Sequence, residues 1–338
     1  MRIAGLDYER REVVVRDGPE PRLGGANEVL FRLQESGICG SDRELAAFRH
    51  GYPPPGEAFL ILGHEALGQV VETGPAVGGL ARGDWVVPLV RRPCQPPCAS
   101  CARGRRDLCL SGRYTETGIF GRHGYLREYA TDAETDLLRV PADLAGCAVL
   151  IEPLSVVEKA VETALRIHEP GVRTALVLGA GPLGILAALV LNLRGIEASV
   201  FSLEPPDHPR ARLIERAGVR YLARPDGVSA DVVIEATGSA AAAFAGFGAL
   251  APLGVYCILG SPNATGEVPF TELMRHNKTV FGSVNAGPEA FALAVRDLGR
   301  LDREVLDGMI QRTSLAALRQ SVTAPPPAAV KIVHVVAD

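Results

Sequence analysis

The chain has 338 residues, 47% of them hydrophobic and 22% charged, which is enough apolar material for two cores at about 150 residues per domain and argues against disorder. Thirty-five basic against 39 acidic residues leave a formal charge of -4 with no basic block, so no nucleic-acid partner is expected. Residues 1–10 become charged before an apolar signal region forms, and the longest uncharged run, 174–193, is broken by Gly179, Gly181, Pro182 and Gly184; neither export nor a membrane span is expected, and the cytoplasm is.

Short β-rich stretches at 28–33, 68–72 and 84–90, punctuated by Gly and Pro, predict a mostly β first domain over 1–160. Two ligand-bearing segments lie inside it. Cys39-Gly40-Ser41-Asp42 and Gly63-His64-Glu65 supply a thiolate, an imidazole and carboxylates, the donor types that bind zinc. Glu152, an acid set in the apolar run 150–154, is the candidate third ligand, since an unpaired buried carboxylate is costly. Asp42 is the candidate to orient His64, because ligating histidines usually donate their second N–H to a carboxylate or carbonyl.

Between these segments, Cys94-x3-Cys98-x2-Cys101-x7-Cys109 puts four soft ligands within 16 residues. That spacing closes a tetrahedron with no open position, a structural zinc site, and cysteines used this way belong in a reducing compartment. A DNA-reading finger would want a helix between ligand pairs and a basic face, and Arg103, Arg105 and Arg106 are the only local cations.

From 161 to 304 the rhythm changes to apolar strand, glycine turn and Ala/Leu-rich helix, with strands expected at 175–178, 198–201, 231–236 and 255–259 and a packed helix at 240–250. This reads as a doubly wound parallel sheet. The first strand runs into Gly179-Ala180-Gly181-Pro182-Leu183-Gly184, a G-x-G-x-x-G turn whose backbone can approach a pyrophosphate at a helix N-terminus. The second ends at Ser202-Leu203-Glu204, where an acid bonds a ribose 2′-hydroxyl and repels a 2′-phosphate, so NAD is favoured over NADP, with Arg210 and Arg212 following closely. Residues 277–284 read as an edge strand at a subunit contact or as core. After Pro325-Pro326-Pro327, the alternation over 331–336 predicts a strand returning, with 305–338, to the first domain.

With these residues in view, the sequence resembles the zinc-dependent medium-chain dehydrogenase/reductase superfamily over essentially its whole length. Gly63, His64, Glu65, Gly68, Gly74 and Val77 meet the motif G-H-E-x2-G-x5-G-x2-V. Within that superfamily it is most similar to the archaeal-type glucose dehydrogenases, through Arg91-Arg92, Gly104-Arg105-Arg106-Asp107, Glu116-Thr117-Gly118-Ile119, Glu152-Pro153-Leu154, Glu158-Lys159 and Asn277-Lys278-Thr279. The resemblance implies an α/β chain with a GroES-like, mostly β catalytic domain and a Rossmann dinucleotide-binding domain. It assigns Cys39, His64 and Glu152 to a catalytic zinc, Glu65 as an exchangeable ligand or neighbouring acid, and Ser41 to the proton path. It gives two zincs per chain, sugar contacts from Glu116, Asn285 and Glu152, and a homodimer or homotetramer. The implied reaction oxidises the C1 hydroxyl of an aldose to a lactone, with hydride passing to the nicotinamide.

The chain departs from the pattern in places. Gln95-Pro96-Pro97 adds one residue to the first cysteine gap, Val90 and Val156 replace commonly polar positions, and Arg275-His276 changes the usual order. The sugar therefore need not be glucose. A zinc-dependent polyol, secondary-alcohol or amino-sugar dehydrogenase is the alternative reading, and a non-catalytic NAD(P)-binding protein the distant one.

Overall fold

The structure, a computed structural model, describes residues 1–225, 227–260 and 265–336. Its residues group into two compact units, one of 1–152, 285–298 and 310–338, the other of 153–284 and 299–309. No helix among the described residues is long and apolar enough to cross a membrane.

The first unit is built on the long strand Glu28–Gly37, whose alternating burial puts Val29, Phe31 and Leu33 in the core. It pairs antiparallel with Glu65–Thr73 and Tyr129–Ala133. It also pairs with Lys331–Val335, the C-terminal strand that returns to this sheet. The register sets Gly37 opposite Glu65 and Val333 opposite Gly37, so three distant stretches of chain meet at one strand end. Trp85–Pro88 and Leu137–Val140 extend the sheet on one side.

The four-cysteine segment carries only two short 3-10 turns, Cys101–Arg103 and Arg106–Leu108. Ion pairs fasten it to the domain. Arg106 bonds the Asp136 carboxylate, and the neighbouring Arg92, itself buried, donates to Asp132 at 2.6 Å and pairs with Asp136 at 3.0 Å. Buried ion pairs of this kind hold position more than they add net stability.

The second unit is a six-stranded parallel sheet. Its central strands are Thr174–Leu178, Glu197–Phe201, Ala230–Glu235 and Leu250–Ile258. Arg220–Leu222 lies at one edge and Thr279–Gly282 at the other. The strand order, in which the first strand lies between the second and the fourth, places the reversal beside Thr174–Leu178. The 240–250 stretch divides: Ala240–Ala245 is helical, capped by the Ser239 hydroxyl, and Leu250 already belongs to a strand. Within 277–284, Thr279–Gly282 forms an edge strand of this sheet.

Candidate active site

Gly63 holds a backbone φ of +91°, and a Cβ there would lie 2.7 Å from Ser36 Oγ and 2.9 Å from Leu126. Only glycine fits before His64. Gly37 leaves room for Glu65 in the same way, because a Cβ would come within 2.3 Å of Glu65 Oε2. These two glycines let strand ends close on a cluster in which ligand atoms of half-buried Cys39 and of buried His64 and Glu65 all lie within 4.8 Å of one another.

Cys39 sits at the start of the helix Gly40–Ala46, its N–H donating to Asp42 Oδ2 at 2.8 Å. Asp42 Oδ1 is 3.8 Å from His64 Nδ1, too long for a hydrogen bond, and both atoms are buried without one. Ser41 Oγ lies 4.0 Å from Cys39 Sγ. Glu152, at the start of the helix Ile151–Ile167, is buried, and its charge is felt at His64, but it stands outside the group of three close donors.

The electrostatics of the cluster are those of a site short of positive charge. Burial pushes the Glu152 carboxyl up to about 8, with Glu65 and Glu116 adding to it against His64 and Lys331. Burial likewise raises Asp42. For His64, burial opposes the charged ring, but Asp42, Cys39 and Glu152 outweigh it and hold the imidazole well above its ordinary value. A divalent cation would relieve this imbalance, and thiolate, imidazole and carboxylate are the donors zinc takes. The residues therefore fit a zinc ion.

The second cluster fits one equally well. The four sulfurs of Cys94, Cys98, Cys101 and Cys109 lie within 4.8 Å of one another, and Cys98 Sγ to Cys109 Sγ is 3.9 Å. A tetrahedron of bonds of about 2.3 Å has edges of about 3.8 Å. The extra residue in the first gap thus leaves the four sulfurs gathered. Backbone N–H groups point at them, from Cys98 to Cys94 at 3.2 Å and from Leu110 to Cys98 at 3.4 Å. N–H groups of Cys101 and Leu110 bring the Cys98 thiol down to about 5, whereas burial pushes Cys101 up to about 12.

Glu116, in the strand Thr115–Thr117, is buried, and Asn285, at a φ of +61°, donates to its Oε1 at 3.0 Å. The structure brings these two sequence-expected sugar contacts together, and Glu116 is one of the charges felt at Glu152. Val90 is buried, and His276 pairs with Glu272 at 3.1 Å.

In the second unit the glycine turn has the expected geometry. Gly179 has a φ of +108°, Gly181 caps the helix Pro182–Leu193, and a Cβ on Gly184 would meet Gly179 O at 1.9 Å. Nothing lies within 4 Å of where a Cβ on Gly181 would be, so a phosphate has open access to the helix N-terminus, with Pro182 and Leu183 in its first turn. Glu204 accepts from the Ser202 hydroxyl and from Arg210 Nη1 at 3.0 Å. Burial opposes its charge, but Ser202 and Arg210 hold the carboxyl below its usual value. These features fit a nicotinamide dinucleotide.

Two family descriptions match the chain: the alcohol dehydrogenase GroES-like domain over residues 25–142 and the glucose dehydrogenase C-terminus over residues 145–325. Glucose 1-dehydrogenase of Methanocella arvoryzae is 40% identical over 319 residues, covering 89% of this chain and 88% of that one. The enzyme of the same name from Thermoproteus tenax is 42% identical over 299 residues, covering 84% and 83%. Glucose dehydrogenase of Haloferax mediterranei, solved in complex with NADP, Zn and gluconolactone, superposes with a TM-score of 0.91 at 32% identity, covering 100% of both chains.

The chain belongs to the glucose 1-dehydrogenase branch of the medium-chain dehydrogenase/reductase superfamily. It is a zinc-dependent, NAD(P)-linked dehydrogenase. Its GroES-like domain and Rossmann domain are those that the sequence resemblance implies.

Two buried cations went unread in the sequence. Lys331 Nζ donates to Glu65 Oε1 at 2.7 Å, to Oε2 at 2.6 Å and to Ile38 O at 3.1 Å. The lysine is 2% exposed. A lysine at the head of the strand Lys331–Val335, apolar but for His334, was the available signal, since such a residue is buried only when paired. Arg91, in the pair Arg91–Arg92, likewise bonds a buried carboxylate, that of Glu116.

Proposed function

We propose that the protein oxidises the C1 hydroxyl of an aldose, with glucose the first candidate, to its lactone, using NAD in preference to NADP. The cluster of half-buried Cys39 with buried His64 and Glu65, with buried Glu152 and the Glu116–Asn285 pair, is the observation that carries the reading. Zinc held there by Cys39, His64 and Glu152 would supply a Lewis acid that eases loss of the substrate hydroxyl proton, and the dinucleotide would take the C1 hydride.

The chain's own residues do the rest. Glu116 and Asn285 orient the sugar hydroxyls, Ser41 passes the C1 hydroxyl proton outward, and Asp42, 3.8 Å from His64 Nδ1, acts on the ring through its charge and not through a hydrogen bond. Glu65, held by Lys331, stands as an exchangeable ligand or neighbouring acid. The lactone then opens in water to the aldonic acid. The four cysteines hold a second, structural zinc. Glu204 bonds the ribose 2′-hydroxyl and repels a 2′-phosphate, while Gly179, Gly181, Pro182, Leu183, Gly184 and Ser202 shape the pocket.

We also infer a homodimer or homotetramer, supported by the edge strand Thr279–Gly282, and a cytoplasmic site, supported by seven cysteines free of disulfides. The test follows nicotinamide reduction by the zinc-loaded enzyme with NAD or NADP against glucose, galactose, xylose, polyols and secondary alcohols. Turnover of an aldose carrying a free C1 hydroxyl, faster with NAD, is the expected result. Reaction of polyols or secondary alcohols alone would overturn the sugar assignment.

A further inference from the structure

Arg91 is 5% exposed and is not free to choose its partners. Its Nε and Nη2 both lie 2.8 Å from Glu116 Oε1, and its Nη1 donates to the backbone carbonyl of Asp107 at 2.9 Å. The guanidinium stacks on the Tyr114 ring at 3.8 Å, which fixes the plane of the fork. Asp107 belongs to the four-cysteine segment, in the 3-10 turn Arg106–Leu108 just ahead of Cys109. One planar side chain therefore joins a carboxylate in the first unit's site to the backbone of the cysteine loop.

The way Glu116 is held gives the link its meaning. Arg91 and Asn285 all bond the same oxygen, Oε1. Oε2 is left to accept from a ligand hydroxyl, and its direction is set by the three contacts on its partner oxygen. A carboxylate aimed in this way discriminates hydroxyl positions far better than a mobile one, because a misplaced acceptor leaves the buried hydroxyl unpaired.

We propose that Arg91 is a positioning residue for sugar specificity, aligning Glu116 against the carbonyl of Asp107 so that the fold of the four-cysteine loop sets the affinity for the sugar. The inference rests on the reading of Glu116 as a sugar contact, and it adds that a loop carrying no substrate ligand of its own governs KM. Lysine cannot replace Arg91, since a single ammonium cannot span Glu116 and Asp107 in one plane.

The experiment compares wild type, Arg91→Lys, Glu116→Gln and the double variant, measuring kcat and KM for the sugar and calorimetric binding of the sugar to the enzyme loaded with zinc and dinucleotide. For Arg91→Lys a rise of roughly tenfold or more in sugar KM and in the calorimetric Kd is expected, with kcat and dinucleotide KM within about threefold of wild type. The double variant should be no worse than Glu116→Gln alone, because both changes act through one carboxylate. Additive losses, or an unchanged KM in Arg91→Lys where Glu116→Gln raises it, would overturn the proposal. An unchanged KM in Glu116→Gln would instead sink the reading of Glu116 on which it stands. Should Arg91→Lys fail to fold, Cys109→Ser tests the far end of the same link: the same rise in KM supports it, and an unaltered sugar Kd refutes it.

Discussion

The two candidate metal clusters of the first unit are built in opposite ways. Four donors of one come from 16 consecutive residues with almost no regular structure around them, and arginines tie it to the domain through Asp136 and the Asp107 carbonyl. Donors of the other come from the start of a short helix and the start of a strand, with Lys331 reaching in from the far end of the chain. A closed set of four thiolates needs no partner beyond the metal and stabilises by binding it. A site that must keep a position open for substrate cannot saturate its metal, so it needs carboxylates of adjustable reach and a buried cation to hold them. The difference shows where a local sequence pattern is enough to make a site and where a whole sheet is required.

The largest separation between the two should come from ligand variants. Cys39→Ser should cut kcat/KM by roughly a thousandfold or more, equivalent to about 4 kcal/mol of transition-state stabilisation, while bound zinc falls from two to one per chain and the melting temperature changes little. Cys101→Ser should instead lower Tm by several degrees and leave the other zinc in place, with kcat kept near wild type and any loss of activity confined to the sugar KM. Atomic absorption on both variants with thermal scans checks this; equal activity losses with equal Tm changes would erase the distinction.

Next in size is the buried pair. Lys331→Met leaves Glu65 buried without its cation and should cost about 3–5 kcal/mol in denaturant unfolding. Glu65→Gln/Lys331→Met should recover much of that, and a double variant no more stable than Lys331→Met would mean that the lysine acts elsewhere.

A smaller effect concerns the dinucleotide. Glu204→Ala should move the ratio of kcat/KM for NAD to that for NADP about tenfold toward NADP, since the carboxylate that would repel a 2′-phosphate is lost. Steady-state kinetics with both dinucleotides decide it.

The smallest expected change provides a control outside both clusters. Burial works against the Asp231 charge, but N–H groups of Arg173 at 2.8 Å and Thr174 at 3.0 Å and the Thr174 hydroxyl hold its carboxyl below the ordinary value. Because the folded pKa is depressed, its contribution is present above the unfolded carboxylate value and fades as pH falls through the lower folded one. Asp231→Asn should therefore lower Tm at neutral pH, by an amount equivalent to ~1 kcal/mol, and converge with wild type in strong acid. A constant difference at every pH would rule the carboxylate out as the cause.

Much of this was open to reading in residue order alone. The cysteine loop, the G-x-G-x-x-G turn and the strand–helix rhythm around it are local, so spacing and periodicity determine them. So does Gly63 before His64, once the motif is seen, although its reason, the crowding by Ser36 and Leu126, is not in the sequence. Tertiary structure alone decided which groups became neighbours. It put Glu65 with Cys39 and His64 while Glu152 stands back, left Asp42 beyond hydrogen-bond reach of His64, and brought Lys331 and Arg91 onto carboxylates 266 and 25 residues away. Those pairings follow from strand register and burial, which depend on every segment of the sheet at once, and an ion buried at one strand end is compensated by whatever cation the return strand delivers there.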